Sequence, residues 1–530
     1  MIRELTDLGE TSTLEADVCI VGAGAAGLAL AAALLDTGWR VIVLESGRAR
    51  PDAFGAGLNE LESVGLPHDG GSDGRVRAFG GTTSAWGGQL LPLRASEIEQ
   101  REWVPHSGWP ITLDELQPFY RRVESLLGVE GPPYGGEVWN ALGIQPPAFD
   151  ASRFCVRFSQ WAPLGRRNFA VLLRRRLAAS RNVTVLLDAT ATAVHCGAGD
   201  AHVESVRCQS RAGKSANIRA AFCVLACGGL ETPRLLLASP ARGARGLANS
   251  SDLVGRFFQD HISYVAGEIE PRSRAELQRL FDPRYLARTM YTSKIEPSDA
   301  TQRDRRWLNA MGHFAFEIPE ALGLLEVKRV LRSFQSGSVQ LPTLDELLAM
   351  LRGSGELARL VFARLALARR QSPSSGRIRL LVDVEQAPNP DSRITLGTRR
   401  DALGLPRAVL DWRLAGQELT TLTDFAKSLA TELEAKGLGS VTLAAAPDFA
   451  KRGEVSAARD IFHHMGTTRM SRSPRDGVTN AELRCHDVDN LFVASSAVFP
   501  TGGIANPTLT IIALSLRLAD HLKRLLAAAR

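Results

Sequence analysis

The chain has 530 residues, of which 45% are hydrophobic and 23% charged, and its formal net charge is +6. That length exceeds one ordinary compact domain, so two domains, or one with a large elaboration, are predicted, with a core large enough to enclose a cofactor. The basic residues are mostly scattered Arg, with no long Lys/Arg block, which reads as a solvated surface and argues against nucleic acid as a partner.

Seven cysteines occur, at 19, 155, 196, 208, 223, 227 and 485. No pair has zinc or redox spacing, so no metal site is expected, and Cys223 to Cys227 reads as a buried strand. Free thiols point to a reducing compartment. Met1 to Ala16 is polar and acidic, without a basic start followed by an apolar stretch, and no apolar run approaches the roughly 18–20 residues that span a bilayer. The expected location is the cytoplasm.

In chain order, Ala16 to Val21 reads as a buried parallel strand, Gly22-Ala-Gly-Ala-Ala-Gly27 as a tight turn and Leu28 to Leu35 as a helix ended by Gly38. Arg40 to Leu44 forms a second strand and closes a βαβ unit at Glu45. Residues 70 to 90 are glycine-rich, Glu115 to Leu127 is helical, and 131 to 150 is irregular. Strands run from Asn182 to about Val224, and a helix restarts at Glu231 to Leu237. Leu341 to Arg370 reads as an amphipathic helix that packs on the core, lines a substrate entrance or docks on a membrane surface. Strands return at Arg377 to Val384 and Arg393 to Leu396. Ile511 to Leu526 is the last helix.

The G-x-G-x-x-G pattern gains weight from the strand before it and the helix after it. Gly22 permits the turn, Gly24 lets the backbone approach a pyrophosphate, and Gly27 allows close helix–strand packing. The helix start at Ala25 and Ala26 offers free N–H donors to phosphate. Glu45, 18 residues past Gly27, suits ribose hydroxyls and repels a 2′-phosphate. The motif alone does not separate FAD from NAD. Its place at the start of a long chain, with a distant C-terminal motif, favours FAD.

Four further segments resemble the glucose–methanol–choline (GMC) oxidoreductases: Gly80-Gly-Thr-Thr-Ser-Ala-Trp-Gly-Gly88, Leu225 to Leu237, Val254-Gly-Arg-Phe-Phe-Gln-Asp-His261, and His463-His-Met-Gly466 with Asn490 to Thr508. His-x-Met-Gly followed by Ala505-Asn-Pro-Thr508 is most similar to the branch of pyranose oxidases and bacterial sugar dehydrogenases. The resemblance implies an α/β fold: a Rossmann-like FAD-binding domain, discontinuous over 1–115, 178–262 and 456–530, and an α+β substrate or cap domain over 116–177 and 263–455 with an antiparallel sheet. It implies cofactor contacts from Gly80, Gly81, Thr82, Thr83, Trp86, Gly87, Ala191, Ser495, Pro507 and Thr508. Members with covalent flavin carry His where this chain has Ala85, so the FAD is expected to be non-covalent.

The same resemblance makes His463 the catalytic base and Asn506 its partner. Oxidising an alcohol removes a hydride from carbon, taken by flavin N5, and a proton from oxygen. A neutral His accepts that proton near physiological pH, and an amide N–H aims the substrate hydroxyl and stabilises its developing charge. Adjacent side chains in an extended segment point to opposite sides, so His464 is expected to be a hydrogen-bonded core residue. His261 is expected to bond structurally at the domain interface, and His486 to lie on the surface. Pro507 favours extended backbone at Asn506 and opens the last helix. The expected partners are a small-molecule alcohol, with a sugar, glycoside or polyol first and a lipophilic alcohol second, and oxygen or another electron acceptor. A flavin-containing lyase of hydroxynitrile-lyase type and a subunit feeding a cytochrome are the competing readings.

Overall fold

A computed structural model of the chain describes residues 1–9, 13–197, 199–241, 245–317, 369–450 and 458–528, with positions 343, 359 and 362. All but a few positions of the amphipathic segment 341–370 lie outside the described residues.

The first layer is an eight-stranded sheet. Thr13–Val21 is parallel to Val41–Leu44 on one side and Ser215–Leu225 on the other, with Val183–Leu187 and Ile2–Glu4 continuing outward. Leu491–Val493 adds in parallel beside Cys223 to Leu225, so the C-terminal 70 residues return to the sheet begun by the first 50. The antiparallel strands Val203–Gln209 and Thr190–Cys196 complete it. The strands are short apolar runs because both sheet faces are covered. Helix Ala25–Ala33 and the last helix, Thr508–Ala528, pack there.

Gly22 sits at φ +108°, and a Cβ there would come within 2.5 Å of the Ala226 carbonyl. A Cβ at Gly27 would collide with the Gly22 carbonyl, so both glycines serve the strand–turn–helix crossing.

The second layer is a nine-stranded antiparallel sheet built on Phe154–Trp161, His261–Pro271, Thr289–Pro297, Ala310–Phe316 and Ile378–Glu385. Helix Gln417–Ala435 covers one face through Leu422, Phe425, Leu429 and Leu433. Helices Leu113–Leu127 and Phe169–Ala179, expected in the cap, put Leu116, Tyr120, Val123, Leu173 and Leu177 into the first core. Their apolar stripes find the first sheet's helices after a chain reversal that local pattern does not reveal. The stretch 131–150 contains a short helix, Glu137–Leu142. Cys223 is buried in its strand, whereas Cys227 lies beyond the strand end and caps helix Gly228–Ala238. All seven thiols are free.

Candidate active site

A cavity of about 300 Å³ runs along the carboxyl ends of the parallel strands. This is where open α/β sheets bind ligands, because the strand ends leave a crevice and helix N-termini point into it. Gly22, Gly24, Ala25, Ala26, Glu45 and Ala191 line it, as do Gly81, Thr82, Thr83 and Trp86. His463, Ser495, Pro507 and Thr508 line it as well. A Cβ at Gly24 would meet nothing within 4 Å, so this glycine leaves open space where the motif predicts a pyrophosphate. Gly27, Gly80 and Gly87 shape the walls without lining them. A Cβ at Gly80 would press on Ala170, and one at Gly87 on the Trp161 ring.

Glu45 is buried, and its carboxylate accepts from the N–H groups of Ala23 (2.9 Å) and Gly47 (2.8 Å). Burial pushes its carboxyl up to about 7, against the pull of those two donors.

His463 Nε2 lies 3.4 Å from the Asn506 amide nitrogen, and His463 Nδ1 lies 2.9 Å from His261 Nδ1. With the Asn506 amide donating, His463 Nε2 is the acceptor, and the ring proton sits on Nδ1, donated to His261. Burial, then the neighbouring His261, holds the His463 pKa well below 6.5, so the ring is neutral at pH 7. Asp260 fixes both histidines: its Oδ1 accepts from the backbone N–H of His261 (2.7 Å) and of His463 (2.8 Å). Its Oδ2 faces His68 Nε2 at 3.2 Å, both side chains being fully buried. Phe462 adopts φ +65°, a left-handed backbone that bulky residues rarely accept and that concentrates at functional sites.

The histidines depart from expectation in three places. His261 touches the predicted base directly. His464 lines the same cavity as His463 instead of facing away, because the segment is bent at Phe462 and not extended. It lies 4.0 Å from Asp260 Oδ2. The donor atoms of His68, Asp260 and His464 fall within 4.8 Å of one another, and the His68–Asp260 ion pair accounts for the closest approach. His486 is half-buried against Ser471, not on the surface.

Residues 72–263 and 388–515 match the two family models described as GMC oxidoreductase, covering the glycine-rich segment, the stretch that leads into His261 and the His463–Asn506 region. The chain is a GMC oxidoreductase. It is similar to paromamine 6′-oxidase of Streptomyces fradiae, at 26% identity over 95% of this chain and 90% of that one. It is also similar to 2-methyl-1,2-propanediol dehydrogenase of Mycolicibacterium austroafricanum, at 24% identity over 97% and 96%. Pyridoxine 4-oxidase from "Mesorbium loti" has the same fold, with a TM-score of 0.57, 18% identity, and coverage of 96% and 99%.

The GMC oxidoreductases bind FAD, and the open cradle at Gly24, the helix start at Ala25 and the buried Glu45 fit that group. The cavity of this GMC oxidoreductase also contains charges that motif reading passed over. Arg75 and Arg77 each reach Glu231 at 2.8 Å, and Arg234 reaches it at 3.1 Å. Burial alone would raise the Glu231 carboxyl, but Arg77, Arg234 and Arg75 hold it well below the usual range. Arg75 and Arg77 lie in the glycine-rich stretch 70 to 90 and Glu231 and Arg234 in Leu225 to Leu237, so their residue types were visible, but their convergence was not. Among the described residues, no helix is long and apolar enough to cross a membrane.

Proposed function

We propose that this enzyme oxidises a CH–OH group of a sugar, glycoside or polyol, with His463 as general base and Asn506 orienting the substrate hydroxyl. The observation that carries the reading is the approach of the Asn506 amide to Nε2 of His463, a residue that lines the glycine-walled cavity. The neutral His463 ring receives the hydroxyl proton at Nε2, while Asp260 and His261 hold its backbone and its Nδ1–H. The Asn506 amide donates to the substrate oxygen as negative charge grows there. When bound, FAD supplies the acceptor for the hydride that leaves the carbon.

Gly22, Gly24 and the helix start at Ala25 and Ala26 hold the pyrophosphate, Gly27 lets that helix pack close to the strand, and Glu45 holds the ribose. Gly80, Gly81, Thr82, Thr83, Trp86 and Gly87 shape the cavity wall, and Ala191, Ser495, Pro507 and Thr508 complete the site. Ala85 offers no nucleophile, so the FAD is non-covalent, and acid precipitation should leave the yellow flavin in the supernatant. The diol named in one relative and the amino sugar derivative implied by the other support a hydroxyl-rich substrate class.

The test is anaerobic reduction of the flavin by a panel of sugars, glycosides and simple alcohols. Wild type should lose its oxidised-flavin band with at least one polyol. His463→Ala should slow that loss about 10²–10⁴-fold, the usual worth of a general base. An intact band with every alcohol would favour the lyase reading.

A further inference from the structure

The antiparallel sheet has two unlike faces. Residues opposite one another across a ladder share a face, and positions alternate along each strand. Register places Ile262, Val382, Val384, Ala310 and Ile295 on one face, where Gly312 meets Leu429 of the covering helix. The other face carries His261, Asp383, Glu385, His313, Lys294 and Arg157. On a buried sheet such a row of polar groups needs partners.

Most of the polar face has them. Glu385 pairs with Arg101 and accepts from the Asn309 backbone and amide, each at 2.8 Å. Glu296 takes Arg157 at 3.3 Å and Arg94 at 3.5 Å. At the far edge, Trp161 donates to Thr292 at 2.9 Å. The centre is different. Asp383 Oδ1 and His313 Nδ1 are buried with no hydrogen-bond partner among the described residues. His313 Nδ1 stands 3.6 Å from Asp383 Oδ2, beyond hydrogen-bonding range. Lys294, on the neighbouring strand, is also buried, and Asp383 and Glu296 are the carboxylates acting on it.

Two corners locate this centre. His261 begins one strand of the same face and touches His463 at 2.9 Å. Trp161, on the strand at the other side, closes on Gly87 of the glycine-rich segment. The unsatisfied groups therefore lie on the face between the proposed base and the wall along the cofactor cavity. His313 keeps 24% of its side chain accessible, so space adjoins it.

We infer that Lys294, His313 and Asp383 form the recognition site for a neutral polyhydroxylated substrate, on the sheet face turned toward His463. This rests on the CH–OH oxidation proposed above. Asp383 accepts from one or two hydroxyls, Lys294 donates to another, and His313 offers one acceptor and one donor. Burial, then Lys294, pushes His313 down to about 4, which keeps it neutral and able to play both parts. A monohydric alcohol leaves the Asp383 carboxylate and the His313 ring unsatisfied, which sites built for hydroxyls reject strongly.

The test compares the holoenzyme with Asp383→Asn, Lys294→Met and the charge-neutral double variant. Binding of the best polyol is read by perturbation of the flavin spectrum or by calorimetry, and turnover is read separately for polyol and 1-butanol. The single variants should weaken polyol binding and raise its KM roughly ten- to hundredfold, as expected for a lost hydrogen bond to a charged group, with 1-butanol turnover undiminished or improved. Equal polyol binding in wild type and variants, equal loss for both alcohols, or no polyol binding to wild type would overturn the assignment. Polyol binding that the variants lose, without flavin reduction in wild type, would keep this site and sink the oxidation reading. The double variant, which leaves no unpaired buried charge, and an unchanged flavin spectrum separate recognition from misfolding.

Discussion

His463 is the residue on which the proposed chemistry turns, and its environment sets a pH signature. Its pKa is lowered by burial first and His261 second, so the neutral, proton-accepting form persists well below pH 6.5. Activity through this group should be lost only as pH falls through that depressed value. A kcat/KM profile with its acidic limb well below 6.5 supports the neutral base; a limb at or above 6.5 contradicts it. His261→Asn removes the ring that receives the Nδ1 proton. It should shift that limb and reduce kcat more than it changes KM, since the tautomer rather than substrate contact is disturbed. Asn506→Ala should cost roughly 10²–10³ in kcat, as for other donors to a developing oxyanion. An effect confined to KM would make Asn506 a mere binding contact.

At the scale of the element, the turn between the first strand and helix Ala25–Ala33 separates two reasons for glycine. Gly27 is pressed against the Gly22 carbonyl, so Gly27→Ala overpacks the crossing and should destabilise the protein by about 1–3 kcal/mol with or without cofactor. Gly24 faces open space, so Gly24→Ala should leave the unliganded fold within about 0.5 kcal/mol of wild type. It should still weaken FAD, because the added methyl occupies the approach of the pyrophosphate. Thermal melts of the apoprotein and flavin titrations decide between these outcomes, and equal melting losses in both variants would refute the distinction. The segment carrying His463 follows another logic. Met465 pairs with Gln259 in both directions (3.0 and 2.9 Å), Gly466 N–H reaches Ser496, and Asp260 holds His463, so the base is set by neighbours distant in sequence.

Across the whole molecule, the loop that precedes helix Leu113–Leu127 is tied to the second sheet through buried charge. Arg101 is 4% exposed and Glu385 1%, and Asn309 adds two further bonds to the same carboxylate. Glu385→Ala leaves the Arg101 guanidinium buried and uncompensated, and should cost about 3–5 kcal/mol in denaturant unfolding. A loss below about 1 kcal/mol would mean that this loop is held on the sheet by apolar packing alone. Acid acts at the same scale. His313, held at about 4, and His463, held well below 6.5, bind protons in the unfolded chain before they do in the folded one. Their contribution therefore makes stability fall as pH drops from about 6.5 toward 4, with the sign fixed by greater proton uptake on unfolding.

The first 50 residues could be read directly. A strand, a glycine turn and a helix are local patterns, and Thr13–Val21, Ala25–Ala33 and Val41–Leu44 follow from them with boundaries shifted by a few residues. Quoted motifs likewise named the residues that line the cavity, from Gly22 to Thr508, because each motif is a short run with its own chemistry. The sequence by itself determined the family and the cofactor class, and it named His463 as the proposed base. Only the tertiary structure decided that His261 would touch His463 across 202 positions, that His464 would share its cavity, and that Asp260 would anchor both. It also decided that Lys294, His313 and Asp383 would share one sheet face. These facts depend on strand register and on chain reversals over hundreds of residues, and no local period or spacing encodes which distant strand becomes a neighbour.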